Sequence, residues 1–195
     1  MLADVLKKFC NRETLPVNVS EVETAIRHLI KVDQINFYPR SAMNPQLLRG
    51  MVEIYTAYEG TPTSMETVDI YYASSMDADW QRVVQTKELV HLFDSDGGLA
   101  GDEGSILKLI TELVTPHELS AVSNPTKEDH YALSWALAFL FPRKCMELFS
   151  QPLTEGKITF SEIASIAKIP PRFMPFLFSD IFRNWINALL EEDGN

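Results

Sequence analysis

The sequence predicts an α+β fold, mainly helical, with one small sheet and a helical coda. Three observations predict it. Apolar residues recur at helical spacing along most of the chain, three short runs rich in Val, Ile and Tyr sit together between residues 35 and 73, and helix-start signals stand at Ser20 with Glu23 and at Thr159 with Glu162. With 195 residues, 46% of them hydrophobic and 23% charged, the chain reads as one domain, 1–195. A chain of this length buries roughly 70% of its unfolded surface, so it needs no disulfide or metal staple.

Leu2, Val5, Leu6 and Phe9 predict a first helix, broken near Pro16. A second begins at Ser20, where Ser20 and Glu23 have capping-box spacing, and Val22, Ile26, Leu29 and Ile30 form its apolar stripe. His28 lies at the edge of that stripe, with no other ligand type clustered nearby. Ile35 to Tyr38, ending at Pro39, then Gly50 to Tyr58 and Thr67 to Ala73 are the strand candidates. The turn Gly60-Thr61-Pro62-Thr63 joins the last two, and together they predict a small antiparallel sheet.

Asp77 or Asp79 caps the next helix, which runs to about Phe93 before Asp94-Ser95-Asp96-Gly97-Gly98 stops it. That loop does not have the register of a calcium loop. Ser105 to Val114 returns to helix, and His117-Glu118 has no following histidine at metal-binding spacing. Pro125 to Phe141 predicts a strongly apolar helix with Glu128 and Asp129 near its start. Past Pro142 come a short helix around Cys145 to Phe149, a loop through Pro152, a helix from Thr159 to about Lys168, and a last helix from Pro170-Pro171 to Leu190. The last two have a helix-turn-helix look. Lys and Arg are not concentrated on the second, so packing explains the pair better than groove reading does.

The net charge is −10, which opposes direct binding to a phosphate backbone. Tyr55, Tyr58, Tyr71 and Tyr72 offer stacking rings, but Glu53, Glu59, Glu66 and Asp69 stand among them. The two cysteines, Cys10 and Cys145, lack C-x-x-C spacing, as suits a reducing compartment. Met1 to Asn11 is interrupted by charge, and the longest apolar stretch, Tyr131 to Phe141, is about half of the roughly 20 residues that a membrane span needs. The expectation is a cytoplasmic protein with no membrane partner.

Chemistry concentrates in Arg82-Val83-Val84-Gln85-Thr86-Lys87-Glu88-Leu89-Val90-His91. H-E-x-x-H binds zinc because positions i and i+4 stack on one helix face, with the glutamate between them as base. Here the sequence is K-E-x-x-H. His91 and Glu88 are present, but an ammonium has no lone pair for a metal. Trp80, Val83, Val84, Lys87 and His91 share one face, so Lys87 points where the core side chains point. A buried ammonium then requires a carboxylate partner, and Asp129 and Glu128 are the candidates.

This order of parts resembles the ImmA/IrrE metallopeptidase-like family over roughly residues 20 to 190. Arg82 to His91 is similar to the family's R-F-x-x-A-H-E-x-G-H, and Asp129 to Pro142 is similar to its E-x-x-A-N-x-F-A-x-x-L-L-M-P. The resemblance implies a zincin-like core over 20–142 with a helical extension over 143–195. It implies that Glu88 holds the general-base position, His91 the second zinc-ligand position and Asp129 the third, with Lys87 in place of the first. Lys for His, Asp for Glu, Leu133 for Asn and Val90 for Gly depart from the pattern.

Three readings remain open at this point. One is a metal-free pseudopeptidase that binds another protein or a peptide, within the phage, mobile-element or stress-response circuits that the resemblance implies, with Lys87 as resident cation. The second is a hydrolase, either with zinc held by His91, Asp129 and Glu128 or His130, or with a lysine of lowered pKa acting on Thr86 or Ser134. The third is an α+β domain whose K-E-x-x-H is incidental. Arg82 is a candidate supporting residue in the first two.

Overall fold

In a computed structural model, the described residues are 1–30, 32–46, 48–57, 65–93 and 124–191, without the side chains of 124–128. The readings made above for Tyr58, Glu59, the 60–63 turn, the 94–98 loop, the 105–114 helix, His117-Glu118 and the side chain of Glu128 lie outside them. The chain is α+β. Its elements are α1 (Leu2–Cys10), α2 (Val19–Ile30), β1 (Gln34–Arg40), β2 (Gly50–Ala57), β3 (Met65–Ala73), α3 (Ala78–Val90) with a 3-10 turn His91–Phe93, α4 (Asn124–Leu140), α5 (Arg143–Thr154), α6 (Phe160–Ala167), a 3-10 turn Pro171–Phe173, α7 (Met174–Leu177) and α8 (Asp180–Glu191).

The sheet is mixed, and this corrects the antiparallel expectation. Its order is β1-β3-β2. β2 and β3 pair antiparallel with Val52 opposite Ile70, whereas β1 runs parallel to β3 with Phe37 opposite Ile70. Strand composition records burial but not direction, and the return from β1 to β2 crosses the end of β3 instead of closing a hairpin. β1 also runs through Pro39 to Arg40, as an edge strand can, because one side of its backbone has no ladder to donate to.

One face of the sheet, carrying Ile35, Phe37, Val52, Val68 and Ile70, joins the main core. α3 packs on that face across β2 and β3. The approach is closest at Gly50, where an added Cβ would stand 2.5 Å from Val84 Cγ1 and 2.6 Å from Glu88 Oε1. The opposite face is polar and centres on Asp69, which accepts from Asn36 Nδ2 at 2.9 Å, Tyr55 Oη at 3.0 Å and Tyr71 Oη at 3.2 Å. Asp69 therefore binds the three strands to one another, and the tyrosine hydroxyls are spent on it.

The helices follow the sequence with three adjustments, and of the two cap candidates for α3 one is used. The cap of α2 lies two residues earlier than expected: Glu21 accepts from the Asn18 amide at 2.9 Å and is held by Arg12 at 2.5 Å. α5 continues through Pro152 to Thr154. The bond that Pro152 cannot make would go to the carbonyl of Leu148, an exposed residue on the outer side of the helix. Asp77, not Asp79, caps α3 by accepting from the Trp80 amide at 2.9 Å. The last predicted helix is three pieces, because Ser179 Oγ accepts from the Phe182 amide at 3.2 Å and starts α8 afresh.

The Thr159 and Glu162 capping box forms as the sequence predicts. α6 and α8 bury Ile163, Ala164, Ala167, Phe182 and Ile186, so they pack into the core. Among the described residues no helix is long and apolar enough to cross a membrane.

Gly50→Ala should destabilise the fold by about 1–3 kcal/mol, since backbone and helix must part to admit the methyl group. The check is the urea midpoint against wild type. An unchanged midpoint would mean that α3 does not approach β2 this closely.

Candidate functional site: a buried lysine between two carboxylates

The site forms where α3 meets α4. The end of α3 is covered on several sides, by the sheet, α2 and α4, so Thr86, Lys87, Glu88, Leu89 and Val90 are all buried. Lys87 is 5% exposed, Glu88 3% and Asp129 5%. Lys87 Nζ donates to Asp129 Oδ1 and lies 3.1 Å from Glu88 Oε1. His91 Nε2 stands 3.2 Å from the same Asp129 oxygen. Asp129, one of the two carboxylates expected to meet Lys87, does so, and K-E-x-x-H and the start of α4 converge on one point.

Electrostatics holds the cluster in its ionised form. Burial opposes the Lys87 ammonium, but the Glu88 and Asp129 carboxylates outweigh burial and push its pKa above the ordinary 10.5. Burial likewise opposes the Asp129 carboxylate. The hydrogen bond from His91 and the charge of Lys87 prevail and hold it below the usual carboxylate range. A nucleophilic lysine would need the opposite shift. Nor is Thr86 a poised hydroxyl, because it donates to the Arg82 carbonyl at 2.9 Å within its own helix.

Zinc requires three protein donors and an open position in a catalytic site. Here His91 and Asp129 are donors, Asp129 Oδ1 already receives the ammonium, and Lys87 offers no lone pair. Among the described residues no three His, Cys, Asp or Glu side chains are grouped to hold a metal ion. The described residues do not fit zinc.

The remaining candidates fall at different distances from this chemistry. His130 is buried beside Asp129 on α4. Leu133 and Val90 are buried apolar residues of the core. Arg82 supports the scaffold instead of the cluster, donating through Nη2 to the Val17 carbonyl at 2.7 Å and through Nε to the Lys168 carbonyl at 3.1 Å. It joins α3 to the entry of α2 and to the end of α6, where Lys168 adopts φ 56°. His28 lies on α2, in a shallow groove with Lys8, Phe9 and Glu21.

Sequence reasoning missed Gly50, which sets how closely Glu88 approaches β2. The available signal was a glycine opening a strand rich in β-branched and aromatic residues, a common mark of close backbone approach. No family model, curated protein or solved structure matches this chain.

Lys87→Ala leaves two buried carboxylates without their cation, and should cost about 3–5 kcal/mol of stability. Equilibrium urea unfolding checks it, and a change near zero would remove the ion pair from the account.

The pH dependence of that loss follows from the two shifts. Asp129 is lowered from 3.8, so its contribution is complete above that value and is lost as pH falls through the lower folded value. Lys87 is raised from 10.5, so its contribution is complete below that value and is lost as pH rises through the higher folded value. The stability gap between wild type and Lys87→Ala should therefore be widest between about pH 5 and 9, and narrow on either side. Urea midpoints measured from pH 3 to 11 check the window; a gap constant with pH would contradict it.

Proposed function

We propose that this protein is a metal-free pseudopeptidase of the ImmA/IrrE type, with a zincin-like core, that acts as a protein-binding or regulatory module. The observation that carries this reading is the Lys87 ammonium hydrogen-bonded to Asp129 and ion-paired with Glu88, with His91 on the same aspartate. Those are the positions that the resemblance assigns to two zinc ligands, a general base and the residue replacing the first ligand. Their convergence from α3 and α4 supports the resemblance, as does a small sheet with one antiparallel edge strand against α3.

The substitution removes the chemistry and keeps the scaffold. A peptidase of this type needs a metal to acidify water and a free carboxylate to take its proton. Glu88 instead faces an ammonium at 3.1 Å. What remains is the α3 face of Lys87, Glu88 and His91, which the resemblance makes the substrate-facing side, offered to a polypeptide partner by a protein whose charge of −10 disfavours nucleic acid.

The test pairs catalysis with binding. Purified protein, with and without added zinc, should not cleave denatured casein or a mixed peptide substrate. Peptides selected by display on the wild type should lose affinity at least about tenfold, or 1.4 kcal/mol, for His91→Ala. Zinc-dependent cleavage abolished by Glu88→Gln would overturn the reading in favour of a hydrolase, and selected peptides indifferent to His91 would place binding elsewhere.

A further inference from the structure

We infer that β2 is an interface between two copies of this chain, which pair edge to edge and antiparallel about a two-fold axis at Ile54. Among the described residues the sheet ends on β1 at one side and on β2 at the other. Edge strands are commonly kept from such pairing by Lys, Pro, bulges or short length. β1 has Pro39 and Arg40. β2 has 8 residues and no Lys, Arg or Pro, its register with β3 is unbroken, and Glu53, Ile54, Tyr55 and Thr56 are all exposed.

One hydrogen bond fixes which backbone groups of β2 face outward. The Ala73 amide donates to the Arg49 carbonyl at 3.0 Å, and these two residues stand opposite each other when the ladder from Gly50 and Tyr72 is continued by one step. In an antiparallel pair, residues bonded to their opposite number alternate with residues that are not. Met51, Glu53 and Tyr55 therefore bond to β3 through their backbones, whereas Val52, Ile54 and Thr56 turn their N–H and C=O groups to the open edge.

Length and charge then choose the register. Axes at Glu53 and at Ile54 give the longest overlap of two copies of Gly50–Ala57, and axes at Val52 or Tyr55 leave more of each strand unpaired. An axis at Glu53 sets that carboxylate directly opposite its own copy, where like charges destabilise a pair. An axis at Ile54 removes the clash: Glu53 then faces Tyr55 of the second copy, and Val52 faces Thr56. Every outward residue of the overlap meets another outward residue, so each such pair exchanges two backbone hydrogen bonds. Ile54, 51% exposed, and Tyr55, 43% exposed, leave water together, Ile54 against Ile54 of the second copy on the α3 side and Tyr55 against the stem of Glu53 on the Asp69 side. The surface is self-complementary, as a two-fold interface must be.

Sedimentation equilibrium of the full chain tests this, in about 0.15 M salt, where a Debye length of about 8 Å screens the repulsion between two acidic chains. The wild type should show a monomer–dimer equilibrium. Ile54→Lys, which places two ammonium groups at the axis, and Thr56→Pro, which removes an outward N–H that β3 does not use, should both be monomeric with unchanged circular dichroism. Under mild oxidation Ile54→Cys should cross-link two chains at residue 54, because opposite Cα atoms of such a pair stand about 5.5 Å apart, within disulfide reach. Glu53→Cys should not. A monomeric wild type would overturn the inference and leave the edge to a segment of another protein. A dimer that survives Ile54→Lys, or one that cross-links through Glu53→Cys and not Ile54→Cys, would overturn it as well.

Discussion

A buried ammonium held between two carboxylates is the constraint on which the rest of this structure turns. Lys87 and Glu88 come from α3 and Asp129 from α4, so the cluster ties the helix lying on the sheet to the helix running through the core. Withdrawing three charged groups from water costs several kcal/mol per ion even after relaxation. Their mutual attraction and hydrogen bonds must offset that cost, which requires both helices to hold fixed positions. Other features supply that rigidity: Gly50 lets α3 sit close on β2, and Arg82 fastens the same helix to Val17 and Lys168.

The cluster also decides which chemistry the site supports. Proximity of a lysine to a glutamate and a histidine suggests a base or nucleophile, but the direction of the Lys87 shift is upward, away from a reactive amine. The same carboxylates that prevent reactivity make the lysine a stable cation. A histidine and two carboxylates can thus stay together in a helix–helix junction without a metal, provided that a side chain among them brings its own positive charge.

Much of the site was legible in the sequence because it depends on helical periodicity, which is local. The 3.6-residue repeat placed Lys87 inward with Val83 and Val84, and burial then demanded a carboxylate. The start of the apolar helix offered Asp129 and Glu128, and the resemblance assigned Asp129 a place beside His91. Legibility failed where the outcome depends on the rest of the fold. The direction of β1 relative to β3 is not written in strand composition. Pro152 reads as a helix stop unless the residue four before it is known to be exposed. Ser179 hides as an N-cap inside an apolar run, and the Asn18 cap was passed over for the equally good spacing of Ser20 and Glu23. Arg82 opens the motif and was a candidate supporting residue, and the support it gives, to carbonyls of two distant segments, is set by the rest of the fold.

The most direct test of the central claim is nitrogen-detected NMR of the lysine ammonium groups, with Lys87 assigned by its loss in Lys87→Met. A buried, doubly paired ammonium should give a slowly exchanging signal at neutral pH that keeps its charged-state shift as pH passes the ordinary lysine value of 10.5. A Lys87 signal that exchanges freely with water, or that titrates at or below that value, would show that the lysine is not the site's fixed cation.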